Sequence, residues 1–199
     1  MKTVAVIPAR FRSSRFPGKP LVPLQGRPMI LHVADRVSQA LGREDTYVAT
    51  DSTEIRQVVE EAGFQAIMTS EGPVTGTDRV WEAARQLDAE VYLNVQGDEP
   101  MVDPGDIQQI AGAKEKHPGF VINGMCPLGP GEDPASVHIP KVITNERNHL
   151  LYMSRLPVPG FKSPAHRPVL MVETRGSSLA VDIPEDVPRV EEALRRSGR

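Results

Sequence analysis

Four cations, Arg10, Arg12, Arg15 and Lys19, fall within one short segment, Pro8-Ala9-Arg10-Phe11-Arg12-Ser13-Ser14-Arg15-Phe16-Pro17-Gly18-Lys19-Pro20-Leu21. Guanidinium forks, an ammonium and backbone N–H groups gathered in one loop match the oxygens of a polyphosphate. The loop is not a Walker P-loop, because Pro20 follows Lys19 where Ser or Thr is needed for a metal, and the earlier glycine is missing. A GxGxxG run is also lacking, which argues against a dinucleotide-dependent dehydrogenase. The competing reading is a solvated basic loop, since charge runs are commonly surface.

A second chemical segment is acidic. In Asn94-Val95-Gln96-Gly97-Asp98-Glu99-Pro100 an apolar run delivers a glycine and two carboxylates. Gly97 permits close backbone approach, and Asp98 can give oxygen to Mg²⁺, an ion that takes a few carboxylates together with phosphate and water. The same residues could form only a turn and helix start, with Asp as the cap. A third segment, Ala180-Val181-Asp182-Ile183-Pro184-Glu185-Asp186, offers Asp182 as a further metal ligand or, alternatively, a cap. Glu185 and Asp186 are explained by a helix dipole, which favours acids in the first turn.

These residues must be positioned by an α/β framework. Val/Ile/Tyr-rich runs at residues 3–7, 46–50, 65–69 and 91–95 predict parallel strands, the last almost wholly apolar as a strand buried on both faces would be. Helical periodicity fills the gaps at 28–41, 52–62 with Gly63 as stop, 78–87 and 104–116. In such a fold ligands bind beyond the carboxyl ends of the strands, where the basic loop and the Asp98 turn both emerge. Past Gly119 the rhythm changes. Runs at 120–126, 140–144 and 150–154 suggest an inserted β element, followed by a strand at 169–173 and a charged helix at 184–196.

Composition narrows the function classes. With 199 residues, 39% of them hydrophobic, the chain is expected to form a single domain, with residues 120–168 as the insertion. A net charge of −3 with both signs interspersed provides no field for nucleic acid or an anionic membrane, so neither partner is expected. Cys126 is the sole cysteine, which excludes an internal disulfide and fits a reducing, cytoplasmic compartment. The apolar start is too short for a signal-peptide core or a membrane span.

Taken together, Ile7-Pro8-Ala9-Arg10, Arg15 to Leu21, Gly76-Thr77-Asp78-Arg79, Asn94 to Pro100, Tyr152-Met153-Ser154-Arg155 with Pro157, and Val181 to Asp186 resemble the 3-deoxy-manno-octulosonate cytidylyltransferases, the CMP-KDO synthetases. The resemblance implies a three-layer α/β/α, GT-A-like (Rossmann-like) nucleotidyltransferase fold with a mostly parallel central sheet and a small β insertion. It also implies transfer of CMP from CTP to a 2-keto-3-deoxy sugar acid with release of pyrophosphate, in a homodimer. By this similarity Arg10 and Lys19 hold the triphosphate, and Asp98 and Asp182 hold Mg²⁺. Ala9, Arg15, Thr77, Arg79 and Gln96 lie near the nucleotide, with Arg79 towards the base, and Arg155 meets the sugar carboxylate. Arg10, Lys19 and Asp98 are the residues expected to carry the chemistry, since attack at the α-phosphorus piles charge onto phosphate oxygens. No general base is assigned, His138 and His149 included.

The resemblance departs after Arg155. Where the family runs through a longer segment used for sugar contacts and part of the dimer surface, Phe161-Lys162-Ser163-Pro164-Ala165-His166-Arg167-Pro168 leads directly to residues 169–173. Two alternatives therefore stand beside the sugar-acid reading: another sugar nucleotidyltransferase, or a silent nucleotide-binding or assembly module.

Overall fold

The computed structural model describes residues 1–12, 16–129, 132–156, 169–173 and 179–196. Arg15, Pro157 and the 161–168 segment lie outside the described residues. The elements, in order, are β1 (Thr3–Ala9), β2 (Pro23–Leu24), β3 (Arg27–Pro28), α1 (Met29–Leu41), β4 (Thr46–Thr50), α2 (Thr53–Glu61), β5 (Gln65–Met68), α3 (Gly76–Ala84), β6 (Val91–Asn94), α4 (Pro104–Lys116), β7 (Val121–Met125), β8 (Lys141–Thr144), β9 (Leu150–Ser154), β10 (Val169–Glu173) and α5 (Val187–Arg196).

Four strands form the main sheet in the order β5-β4-β1-β6, every pairing parallel. In β1, Val4, Ala5, Val6 and Ile7 are all buried, as a central parallel strand covered on both faces requires. Successive side chains alternate between the faces. Val6, Ala49 and Ile67 pack against Val80 and Ala83 of α3, whereas Ile7 and Ile30 of α1 both approach Gly97. The fold is thus α/β with a parallel central sheet, as expected from the alternation of apolar and helical runs.

Element ends follow local chemistry. Ser52 caps α2 by accepting from the Ile55 amide, and Gly63 stops it at a φ of 79°, a left-handed value that glycine adopts without strain. Helix α3 begins at Gly76, two residues before the expected start. Thr75 is the cap, and Asp78 serves as its reciprocal capping-box acid. The last helix starts later than expected. Pro184–Asp186 is a 3-10 turn, because the Asp186 carboxylate folds back to accept from the Asp182 and Ile183 amides.

The chain divides into two compact units, residues 1–107 with 177–199, and residues 108–176. In the first, the small hairpin β2–β3 escaped the sequence reading because each strand has only two residues. Its tip is fixed to α5 through Gln25, whose amide and side chain donate to the Glu191 carboxylate and carbonyl. Leu24, Met29, Met101, Val181, Val190 and Leu194 form the core beneath it. In the second unit, β7 pairs parallel with β10, and β8 antiparallel with β9. Strands β7, β8 and β9, which lie in the stretch expected as an insertion, belong to this unit.

Candidate nucleotide and metal site

Strand β1 ends at Ala9, so the basic loop leaves from the carboxyl end of the sheet's central region, beside the turn that follows β6. Gly97 makes the two approach closely. A Cβ at that position would stand 2.7 Å from the Pro8 carbonyl oxygen, a distance no larger residue tolerates without backbone movement. Gly97 therefore sets Asp98 beside the basic loop for a steric reason.

Gly18 turns that loop in the left-handed region at a φ of 70°, and its amide donates to the Phe11 carbonyl at 2.9 Å. The following turn, Lys19–Leu21, has Pro20 buried in it. Lys19 is consequently presented from a fixed backbone. Its Nζ donates to Asp98 Oδ2 at 2.7 Å and to the Val181 carbonyl at 2.8 Å, and it lies 4.0 Å from Asp182 Oδ1. The C-terminal segment is held there by the Val181 amide, which donates to the Asp98 carbonyl at 2.8 Å. Residues separated by more than 160 positions thereby meet at one ammonium.

A cleft of about 180 Å³ opens at this point. Ala9, Arg10, Lys19, Arg79, Gln96, Asp98 and Asp182 line it, together with Gly76 and Gly97. Arg10 is exposed. Thr77 is exposed as well and is joined to the cleft by a polar strip: Asn94 Nδ2 donates to Thr77 Oγ1 at 3.3 Å, and Gln96 Nε2 donates to Asn94 Oδ1 at 3.0 Å. Asn94 belongs to the acidic motif, yet its type alone assigned it no role.

Arg79 is only 3% exposed. Its guanidinium donates to Asp51 Oδ2 at 2.8 Å and to Thr69 Oγ1, so the loops after β4 and β5 are tied to α3. Asp51 was missed by sequence reading. The signal for it was position, directly after the β4 run at the ligand-binding end of the sheet. Beside this tie, Asp78 accepts from the Thr75 amide and hydroxyl at 2.9 and 2.8 Å. The Thr75 hydroxyl first, and then the Thr75 amide, hold the Asp78 carboxyl below its ordinary value of 3.8.

Arg155 belongs to the second unit. Its guanidinium donates to the carbonyls of Val137 and His138 at 3.2 and 3.1 Å, and Lys141 secures the Arg155 carbonyl at 2.7 Å. His149 stacks at a tilt on Phe120, with 5.1 Å between ring centroids.

The donor set is compatible with Mg²⁺. Two carboxylates within 4.0 Å of one cationic nitrogen already form an electronegative seat, and Mg²⁺ completes its shell with phosphate and water. Among the described residues there is no cluster of three or more His, Cys, Asp and Glu side chains suited to a metal. No helix among the described residues is long and apolar enough to cross a membrane.

The parallel sheet, with a basic loop and an acidic turn at its carboxyl end, has the fold of the nucleotidyltransferases. The cytidylyltransferase family profile matches residues 4–182, and the chain belongs to that family. It is 40% identical over 158 residues to the 3-deoxy-manno-octulosonate cytidylyltransferase of Escherichia coli, which covers 79% of this chain and 64% of that protein. It is 44% identical over 170 residues to the 8-amino-3,8-dideoxy-manno-octulosonate cytidylyltransferase of Shewanella sediminis (strain HAW-EB3), covering 80% and 67%. The chain thus spans about two thirds of the length of these curated relatives. A solved structure of CMP:2-keto-3-deoxy-manno-octonic acid synthetase complexed with CTP superposes with a TM-score of 0.89 at 29% identity, covering 99% of this chain and all of that one.

Proposed function

We propose that the protein transfers CMP from CTP to a 3-deoxy-octulosonate sugar acid and releases pyrophosphate. The observation that carries this reading is the meeting of Lys19, Asp98 and Asp182 in one cleft beside Arg10, on a chain of the cytidylyltransferase family. The CTP complex of the 29% identical synthetase supports the donor. The names of the relatives support the acceptor class, 3-deoxy-manno-octulosonate or its 8-amino form.

In this reading Arg10 and Lys19 bind the triphosphate through charge-assisted hydrogen bonds. Asp98 and Asp182 would hold Mg²⁺, which supplies charge neutralisation at the phosphate oxygens. Gln96 and Arg79 line the side of the cleft assigned to the nucleoside, Thr77 reaches it through Asn94, and the role assigned to Arg155 is the sugar carboxylate. The remaining barrier is lowered by positioning and by cations that meet developing negative charge, with no side chain assigned as general base.

A homodimer acting in the cytoplasm completes the proposal. The single cysteine, Cys126, supports a reducing compartment, and light scattering of the purified protein tests the dimer. The activity is tested by a pyrophosphate-release screen with CTP, Mg²⁺ and a panel containing both octulosonates and other 2-keto-3-deoxy acids. Release with one octulosonate, lost in Asp98→Asn, is expected. Tight CTP binding without release under any acceptor would instead mark a nucleotide-binding module.

A further inference from the structure

The Lys19 ammonium stands where a cation shared by Asp98 and Asp182 would be needed. It is 2.7 Å from Asp98 Oδ2 and 4.0 Å from Asp182 Oδ1, and the Val181 carbonyl takes another of its protons at 2.8 Å. The side chain is only 17% exposed, so these contacts are partly shielded from water and salt. An Asp98 oxygen that accepts from this ammonium cannot also coordinate a divalent ion without placing two cations at close range.

The surrounding backbone does not need to move for that arrangement to change. Gly18 and the buried Pro20 fix the chain on either side of Lys19, whereas the flexible four-carbon stem can redirect the ammonium. A triphosphate entering between Arg10 and Lys19 offers competing anionic oxygens and frees the Asp98 oxygen.

We infer that Lys19 couples metal binding to nucleotide binding: its ammonium blocks the Asp98–Asp182 seat until a polyphosphate draws it away. The inference rests on the nucleotidyltransferase reading of the same cleft and adds an order to it. Metal enters with or after the nucleotide, and a nucleotide-free protein holds divalent ions poorly.

The test uses the full chain and Mn²⁺ alone, with free Mn²⁺ followed by electron paramagnetic resonance in the absence of nucleotide. Lys19→Met is expected to bind Mn²⁺ at least roughly tenfold tighter than the parent, the scale of removing one nearby like charge. Adding Asp98→Asn to Lys19→Met should abolish the gain, and Lys19→Arg, which keeps the cation, should stay as weak as the parent. Equal affinity in Lys19→Met and the parent would overturn the inference, as would a gain in Lys19→Arg equal to that in Lys19→Met. Circular dichroism verifies that each variant is folded. For the unaltered protein, the ¹⁵N ammonium signal of Lys19 should move when CTP is added without metal, and a stationary signal at saturating CTP would also overturn the inference. Calorimetry of CTP binding to the parent reports separately on the nucleotide reading. A failure there leaves the nucleotide-free Mn²⁺ comparison to decide the role of Lys19.

Discussion

Arg79 and Asp51 meet at 2.8 Å with side-chain exposures of 3% and 14%, joining the start of α3 to the loop after β4. Arg79 lines the cleft, and through this pair the loop after β4 holds it in place. Removing Asp51 leaves a buried guanidinium without its charge partner, a change that costs about 3 kcal/mol or more. Asp51→Ala should therefore lower the thermal midpoint by several degrees and weaken CTP binding. Asp51→Ala combined with Arg79→Met should recover part of the stability but none of the CTP affinity. Scanning calorimetry and CTP titration of the two variants check both points.

Gly97→Ala tests the steric basis of the site. The added methyl would meet the Pro8 carbonyl oxygen at 2.7 Å, and relief requires the β1 end or the Asp98 turn to shift. Overpacking of this kind costs about 1–3 kcal/mol. The denaturation midpoint should fall accordingly, and pyrophosphate release should drop far more steeply than stability, because Asp98 is displaced.

The sheet and the residues of the cleft were legible in the sequence for different reasons. The β1 run announced itself through Val4 to Ile7, all apolar because both faces are covered, and the β4 run through the β-prone Thr46, Tyr47, Val48 and Thr50. Lys19, Asp98 and Asp182 were found as separate chemical types in separate turns, but their direct contact was not. Nothing local records that α5 and the β2–β3 hairpin pin Val181 against Asp98. Asp51 was likewise hidden, since a lone Asp after a strand reads as a helix-start residue until its buried arginine is seen. The Gly76-Thr77-Asp78-Arg79 motif was recognised as a unit. Its structural half, the Thr75–Asp78 capping box, includes a residue just outside the motif.

Helix α5 holds Asp182 in place from a distance. Leu194 is 2% exposed in the core that includes Leu24, Met29 and Val181. Leu194→Ala should destabilise the protein by about 3 kcal/mol through lost burial and the cavity left behind. Because Val181 shares that core, hydrogen exchange at the Val181 amide should accelerate in the variant ahead of exchange in β1.

The α3 cap predicts an acid sensitivity. The Thr75 hydroxyl and amide depress the folded-state carboxyl of Asp78 below its ordinary 3.8, so its contribution is fully present above that value. The contribution is lost as pH falls through the depressed folded-state value. Glu82 behaves in the same sense, held low chiefly by the Ser70 amide, relative to an ordinary 4.5. Carboxyl-carbon NMR titration should give both groups midpoints below these ordinary values. Thr75→Val should move the Asp78 midpoint upward without moving that of Glu82.

Transfer of the cytidylyl group itself is tested most directly with labelled CTP. The protein is incubated with Mg²⁺, a 3-deoxy-octulosonate and either α-³²P- or γ-³²P-CTP, and the products are separated. The α label is expected in a sugar nucleotide and the γ label in pyrophosphate, with both products abolished by EDTA and by Asp98→Asn. Failure of the α label to reach any of the octulosonates, despite measurable CTP binding, would contradict it.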